Sequence, residues 1–502
     1  MTVGSYVYNV NKIINNLLYE DDNFKDTSNE IAGVHNFLRI FVFLALKVTS
    51  IIKWILSKLF NFVNISNLAL SREMEFQADA VSAQIAGSNT IEESLLRIDL
   101  ASHSFNQVLN FYYDRISQNV KSKNVYIEQT EVLRYIGKKN KMKMNGILPI
   151  VTIDEYQKYN KSKLQIKNEW ATHPSLKERI ESVRKLNIQK QNSSKTAFEL
   201  LQSGVELQER FTKILLSGFE YTSETVSLEI NEFIEQYVKE VTLNDFDELY
   251  NEYYDTRNPL ASNVEKLTLK DSNATIEELF SDKILSYQYE LISMQNDKLL
   301  LQDIADKKLK INKFNYDGIS YKSKDAGNVI AKIEKSTEEK KKILEENDNN
   351  IFVFFYQKAK TRFAEEELLK QYQQFYELDV DFDKKIEIHS EVRNATSFMS
   401  VQTPFSIIEK LISNFFEIEK RFKSEIKHLL QSTIYISEIN EDTRKIFEEF
   451  ISKECVYFEE NSYKSEDTKL LYNVLNNFIF VLQKKYYNRK KELLDFQIKL
   501  IK

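Results

Sequence analysis

The chain has 502 residues, more than one hydrophobic core organises, so two or three domains are expected. Charged residues make up 29% and the hydrophobic set 42%, as in a folded protein, and 69 basic against 75 acidic side chains leave a net charge of −6. That balance shows no basic stripe and argues against a nucleic-acid partner. Nine Gly and four Pro are too few for the turns of sandwiches, barrels or doubly wound α/β folds, so a mainly α fold is expected. Cys455 stands alone, which excludes an intrachain disulfide and a cysteine-based zinc knuckle and fits a reducing cytoplasm.

In chain order, Tyr6, Val10, Ile13, Ile14 and Leu17 recur at helical spacing with no cap before them. This N-terminus has no basic n-region or small-residue cleavage site and does not read as a signal peptide. Residues 37–63 are the most apolar run, broken by Arg39, Lys47, Lys53 and Lys58. At about 100° per residue those cations fall within an arc of roughly 140°, opposite Leu44, Val48, Ile51, Ile55, Leu59 and Phe62. The pattern fits a helix lying in a membrane interface, and equally a core helix with snorkelling lysines. A second helix is expected over 69–86, stopped by Gly87. A third is expected from Ile91 to about Ile116, with Thr90 and Glu93 as its capping box.

Residues 121–166 read as irregular, with Gly137, Gly146 and Pro149. Thr172-His173-Pro174 opens a further helix, with Pro at an early position where its missing N–H costs nothing. The polar run 189–195 reads as a linker. Beyond it helix follows helix, except near 311–324, where Asp317-Gly318 between alternating segments predicts a β-hairpin. A charged helix is expected over Ala326–Glu346. Asp379, Asp381 and Asp383 open like an EF-hand loop, but Lys384 stands where Gly is needed and Ser390 where Glu is needed. They read as a surface strand or turn.

The stretch Ser71-Arg72-Glu73-Met74-Glu75-Phe76-Gln77-Ala78-Asp79-Ala80 places Glu75 and Asp79 on one helix face. By spacing alone that is a solvated acidic face. The stretch also resembles the third-ligand helix of the HtpX and CAAX-prenyl-protease (Ste24-like) zinc metalloendopeptidases, and the later ATHPSLKERI resembles their THPxxxxR element. The resemblance covers about residues 1–190, with the apolar segment 37–63 where that family carries membrane-associated helices. It implies that Glu75 is the third zinc ligand and that Asp79 orients the site. It implies also that His173 stabilises an oxyanion and that Arg179 braces the acids.

In such sites two imidazoles of an HExxH helix and a third ligand hold zinc, which activates a water for attack on the peptide carbonyl. The five histidines here are His35, His103, His173, His389 and His428. No two are four apart, and none opens an HExxH. Met1 followed at once by a helical pattern implies a domain cut just after its first-ligand helix. A truncated gene, a mis-called start codon and an inactivated relative all fit. The expected organisation is therefore a gluzincin-type remnant over 1–190, then helical regions over 191–300 and 301–502, the latter with the hairpin. The expected function is that of a zinc metalloendopeptidase lineage acting on protein or peptide substrates. This chain would be inactive alone, would not retain zinc, and would be membrane-associated, on the cytoplasmic face, or cytoplasmic. The alternative is a non-catalytic helical scaffold that binds a membrane surface or a protein partner.

Overall fold

A computed structural model describes residues 36–166, 171–190, 197–260, 274–309, 311–401, 403–459 and 462–502. The N-terminal periodicity around Tyr6–Leu17 and His35 lie outside these residues. The fold is mainly α, as expected, with only two- and three-stranded sheets among the described residues. Two compact units form. One runs to Leu243 and takes up Asp297–Val329; the other comprises Asn244–Asn296 and Ile330–Lys502.

The first unit opens with helix α1, Asn36–Ala86, whose 51 residues span about 77 Å at ~1.5 Å each. Two helices were expected here, 37–63 and 69–86. The chain between them contains no Gly or Pro, and the polar stretch Asn64–Asn67 does not interrupt the backbone ladder. Gly87 ends α1 at φ 89°, and its N–H returns to the Ala83 carbonyl at 2.8 Å. A Cβ at Gly87 would also press on Lys190 at 3.3 Å, so both its conformation and the close approach require glycine.

Helix α2, Ser88–Tyr113, starts earlier than expected and is capped by Gly87, not by Thr90 with Glu93. Its first turn is held instead by Ser88, which exchanges hydrogen bonds with Ile188: its N–H donates to the Ile188 carbonyl and its Oγ accepts from the Ile188 N–H.

The stretch 121–166 is more regular than expected. It contains α3, Val125–Lys139, a short hairpin 144–149 and α4, Ile153–Lys158. Asn124 caps α3 by accepting from the N–H groups of Tyr126 and Ile127. Gly137, a breaker by its residue type, lies inside α3, where a Cβ would meet Pro149 at 2.8 Å. Helix α5 covers Leu176–Leu186, with Ser175 and Glu178 as a capping box. Pro174 therefore precedes the cap and does not start the helix: the hydroxyl at Ser175 can satisfy a first-turn N–H, which proline cannot do.

Helices α6, Gly204–Leu216, and α7, Ile230–Asn244, follow. The apolar core of this unit is divided. Ala83, Leu95, Leu96, Val151, Ile180 and Val183 form one cluster, and Val108, Phe111, Tyr112, Val125, Val132, Leu228, Phe233 and Tyr237 another. The hairpin Lys313–Tyr316 with Ile319–Lys322 forms as expected, turning at Asp317 (φ 52°) and Gly318 (φ 78°). Its first strand also pairs with Leu164–Gln165.

The remaining helices are α8, Ile276–Leu279, α9, Asp282–Ala305, α10, Ala326–Thr361, α11, Glu365–Ala395, α12, Phe405–Gln431, α13, Glu441–Ser452, and α14, Ser465–Lys499. Helix α10 outruns the charged segment because Ile351, Phe352 and Phe355 continue it into the core of the second unit. That core is one continuous cluster, with Phe375, Phe415, Phe422, Phe447 and Phe478 fully buried. Asp379, Asp381 and Asp383 lie within α11, neither strand nor turn. Asp381 accepts from Lys385 Nζ and the Tyr435 hydroxyl, so tertiary partners hold this segment helical.

Candidate active site

The last turns of α1 present Glu75 and Asp79 one helical turn apart, toward α5 and the loop before it. Asp79 is buried, at 6% exposure, and accepts two hydrogen bonds from Arg179: Nε to Oδ2 at 2.8 Å and Nη2 to Oδ1 at 2.7 Å. This is the fork geometry that makes an arginine–carboxylate pair strong. The bond to Asp79 raises the Arg179 pKa above its ordinary value, so the guanidinium stays charged. A second guanidinium nitrogen, Nη1, lies 3.7 Å from Glu75 Oε2. On the other side, Glu75 Oε1 is hydrogen-bonded to His173 Nδ1. The imidazole itself is 73% exposed.

The loop that carries His173 is pinned at both ends. Arg72, on α1, donates to the Ala171 carbonyl at 2.6 Å, and the Ser175 capping box fixes the entry to α5. Beneath the polar groups, Ile180 and Val183 of α5 pack with Ala83 of α1 and with Leu95 and Leu96 of α2. Residues about 100 positions apart thus converge on one face: Glu75, Asp79, His173 and Arg179 come together. Arg72 was not singled out from the sequence, although it stands inside the motif; its signal was a cation one turn before Glu75, on the same face.

The other described histidines lie elsewhere. His103, on α2, is exposed beside Gln107; His389 is buried and stacked on Phe478, where burial lowers its pKa; His428 is exposed on α12. Among the described residues no three His, Cys, Asp or Glu side chains gather as a metal site would require. Residues 20–187 match the sequence profile of peptidase family M48. No curated protein and no solved structure matches the chain. The M48 segment encloses all four converging residues, and M48 peptidases are zinc-dependent enzymes that act on proteins. The donor set here does not fit that metal by itself. A catalytic zinc needs three protein ligands; here Glu75 shares its oxygens with His173 and Arg179, and Asp79 is taken up by the Arg179 fork.

A second polar cluster was not visible in the sequence. The Glu128 carboxylate, on α3, is buried and accepts from the hydroxyls of Tyr112 at 2.6 Å and Ser122 at 2.5 Å. Burial pushes its pKa up to about 7. A glutamate in the first turn of an ordinary helix gives no sign of this; burial against Tyr112 creates it.

On α1, the apolar side chains Val48, Ile51, Ile52, Ile55, Leu59 and Phe62 are 47–71% exposed, and Trp54 is exposed beside them. Among the described residues no helix is long and apolar enough to cross a membrane.

Proposed function

We propose that the M48 segment descends from a zinc metalloendopeptidase and keeps the third-ligand half of its site, while this chain alone neither holds zinc nor cleaves peptides. The observation that carries the reading is the convergence of Glu75, Asp79, His173 and Arg179 within a segment that matches M48. Glu75 would be the ligand. Asp79 and Arg179 would fix its helix against α5, and His173 would stand beside a substrate carbonyl. The two imidazoles and the general base of an HExxH helix have no counterpart among His35, His103, His173, His389 and His428. Metal, nucleophile and base act as a unit, so no fraction of activity survives on the remaining residues. Metal analysis and a peptidase assay should be run on the chain as given and on a version extended upstream by its genomic sequence. The short chain is expected to retain no stoichiometric zinc. A version that supplies HExxH is expected to gain zinc and activity, both lost in Glu75→Ala. Tight one-to-one zinc in the short chain would show that the ligands are misassigned.

A second reading, a non-catalytic helical scaffold, is favoured by one observation: the apolar face of α1 from Val48 to Phe62 is left uncovered. Its occupant would be a membrane surface, with Lys53 and Lys58 toward the headgroups, or a protein partner. The two readings are compatible if the membrane-facing helix outlived the chemistry.

A further inference from the structure

We infer that in this chain Glu75, Asp79, His173 and Arg179 work as a metal-independent clasp that fastens α5 and the His173 loop to the end of α1. The inference deepens the reading of the same four residues given above, but it concerns what they do without zinc. Two carboxylates four residues apart on one helix repel each other unless a cation lies opposite. In a zinc peptidase the metal serves as that cation for the ligand carboxylate. Here protein groups do so.

Arg179 is bonded through its fork to Asp79 and lies 3.7 Å from Glu75, so one guanidinium faces both acids, and the His173 imidazole occupies the remaining Glu75 oxygen. Beneath the clasp, Ala83 is the residue of α1 that joins Ile180 and Val183 of α5 in the buried cluster, with Leu95 and Leu96 of α2 beside them. The polar contacts add to that apolar attachment and fix its geometry. Their contributions should rank with burial: the Asp79–Arg179 pair first, because Asp79 is buried, and the exposed His173 last.

Hydrogen–deuterium exchange on the full chain reads this directly, through the amides of residues 176–186. In the parent chain, adding EDTA or equimolar zinc is expected to leave their exchange unchanged. Arg179→Gln or Asp79→Asn should speed it roughly tenfold or more, because the first strands the buried Asp79 and the second removes the fork that holds the half-buried Arg179. The double variant should be little faster than either single one, because the pair acts as a unit. His173→Ala should have the smallest effect. Zinc that slows exchange in the parent but not in Glu75→Ala would overturn the clasp, and so would acceleration by EDTA. Unchanged exchange in both single variants would overturn it as well. The EDTA arm uses only the parent chain, so it decides the matter even if a variant misfolds. Failure of the extended chain to bind zinc through Glu75 would sink the lineage reading and leave the clasp standing.

Discussion

The two units solve the problem of stability differently. In the second, Phe375, Phe415, Phe422, Phe447 and Phe478 belong to one uninterrupted core, contributed by α11 to α14. In the first, the clusters around Ala83 and Val183 and around Phe111 and Phe233 are smaller, and polar groups lie at the junctions between helices. Arg179 bridges to Asp79 at one junction, and Glu128 takes hydroxyls from Tyr112 and Ser122 at another. Apolar burial is non-directional and insensitive to pH, whereas buried carboxylates bring both geometry and titration into the fold.

The largest expected effect comes from opening the continuous core. Phe478 is fully buried, with its ring edge-on to Phe422 at 5.1 Å. Phe478→Ala should cost the second unit about 3–5 kcal/mol in chemical denaturation. A loss under about 1 kcal/mol would mean that this core is no better packed than that of its neighbour.

Next is a pH dependence within the first unit. Burial holds the Glu128 pKa near 7 in the folded chain, against 4.5 when unperturbed. The folded value is the higher one, so the folded state binds the proton more tightly. The stability this gives is fully present below about pH 4.5, falls as pH rises, and is lost above about pH 7. At ~1.4 kcal/mol per unit, the change is about 3 kcal/mol at most. Glu128→Gln should flatten the first unit's stability between pH 5 and 8, followed by exchange of α2 and α3. A slope that persists in the variant would assign the titration to another group.

Sequence and structure agree where chemistry is local. The Asp317-Gly318 turn needs positive φ at both positions, and the residue pair announces it. The four residues that converge were legible as a group because two short motifs each carry an unusual residue order. What stayed hidden depended on distant partners. Gly137 reads as a breaker until Pro149 packs against it, and the acids of Asp379–Asp383 read as a turn until Lys385 and Tyr435 are found beside Asp381. The length of α1 was missed for the opposite reason: nothing ends it before Gly87.

A smaller effect is expected at the uncovered face of α1. The chain should partition onto vesicles containing anionic lipid, with a change in Trp fluorescence, and salt should weaken binding. Charge reversal at both Lys53 and Lys58 should cost at least ~2 kcal/mol, at about 1 kcal/mol per cation near the surface. Equal recovery in the supernatant with and without vesicles would leave the face to a protein partner.

The smallest effect compares the same chemistry in both units. Ser175 caps α5 by accepting from the Glu178 N–H at 3.3 Å, and Asn440 caps α13 by accepting from the Thr443 N–H at 2.8 Å. Replacing either by Ala should remove about 1 kcal/mol, because each leaves a first-turn donor without its partner. The consequences should differ. Helix α13 drives Phe447 and Phe450 into the continuous core, so its first turn cannot open without disturbing the rest. Asn440→Ala should therefore lower the global unfolding midpoint and leave local exchange almost unchanged. Helix α5 buries only Ile180 and Val183, and its first turn adjoins the exposed His173 loop. Ser175→Ala should show first as faster exchange at the start of α5, together with a weaker His173–Glu75 contact, visible as a shift in the imidazole resonances. Equal local responses at the two caps would mean that the first unit is as cooperative as the second, and the contrast between them would fail at its most sensitive point.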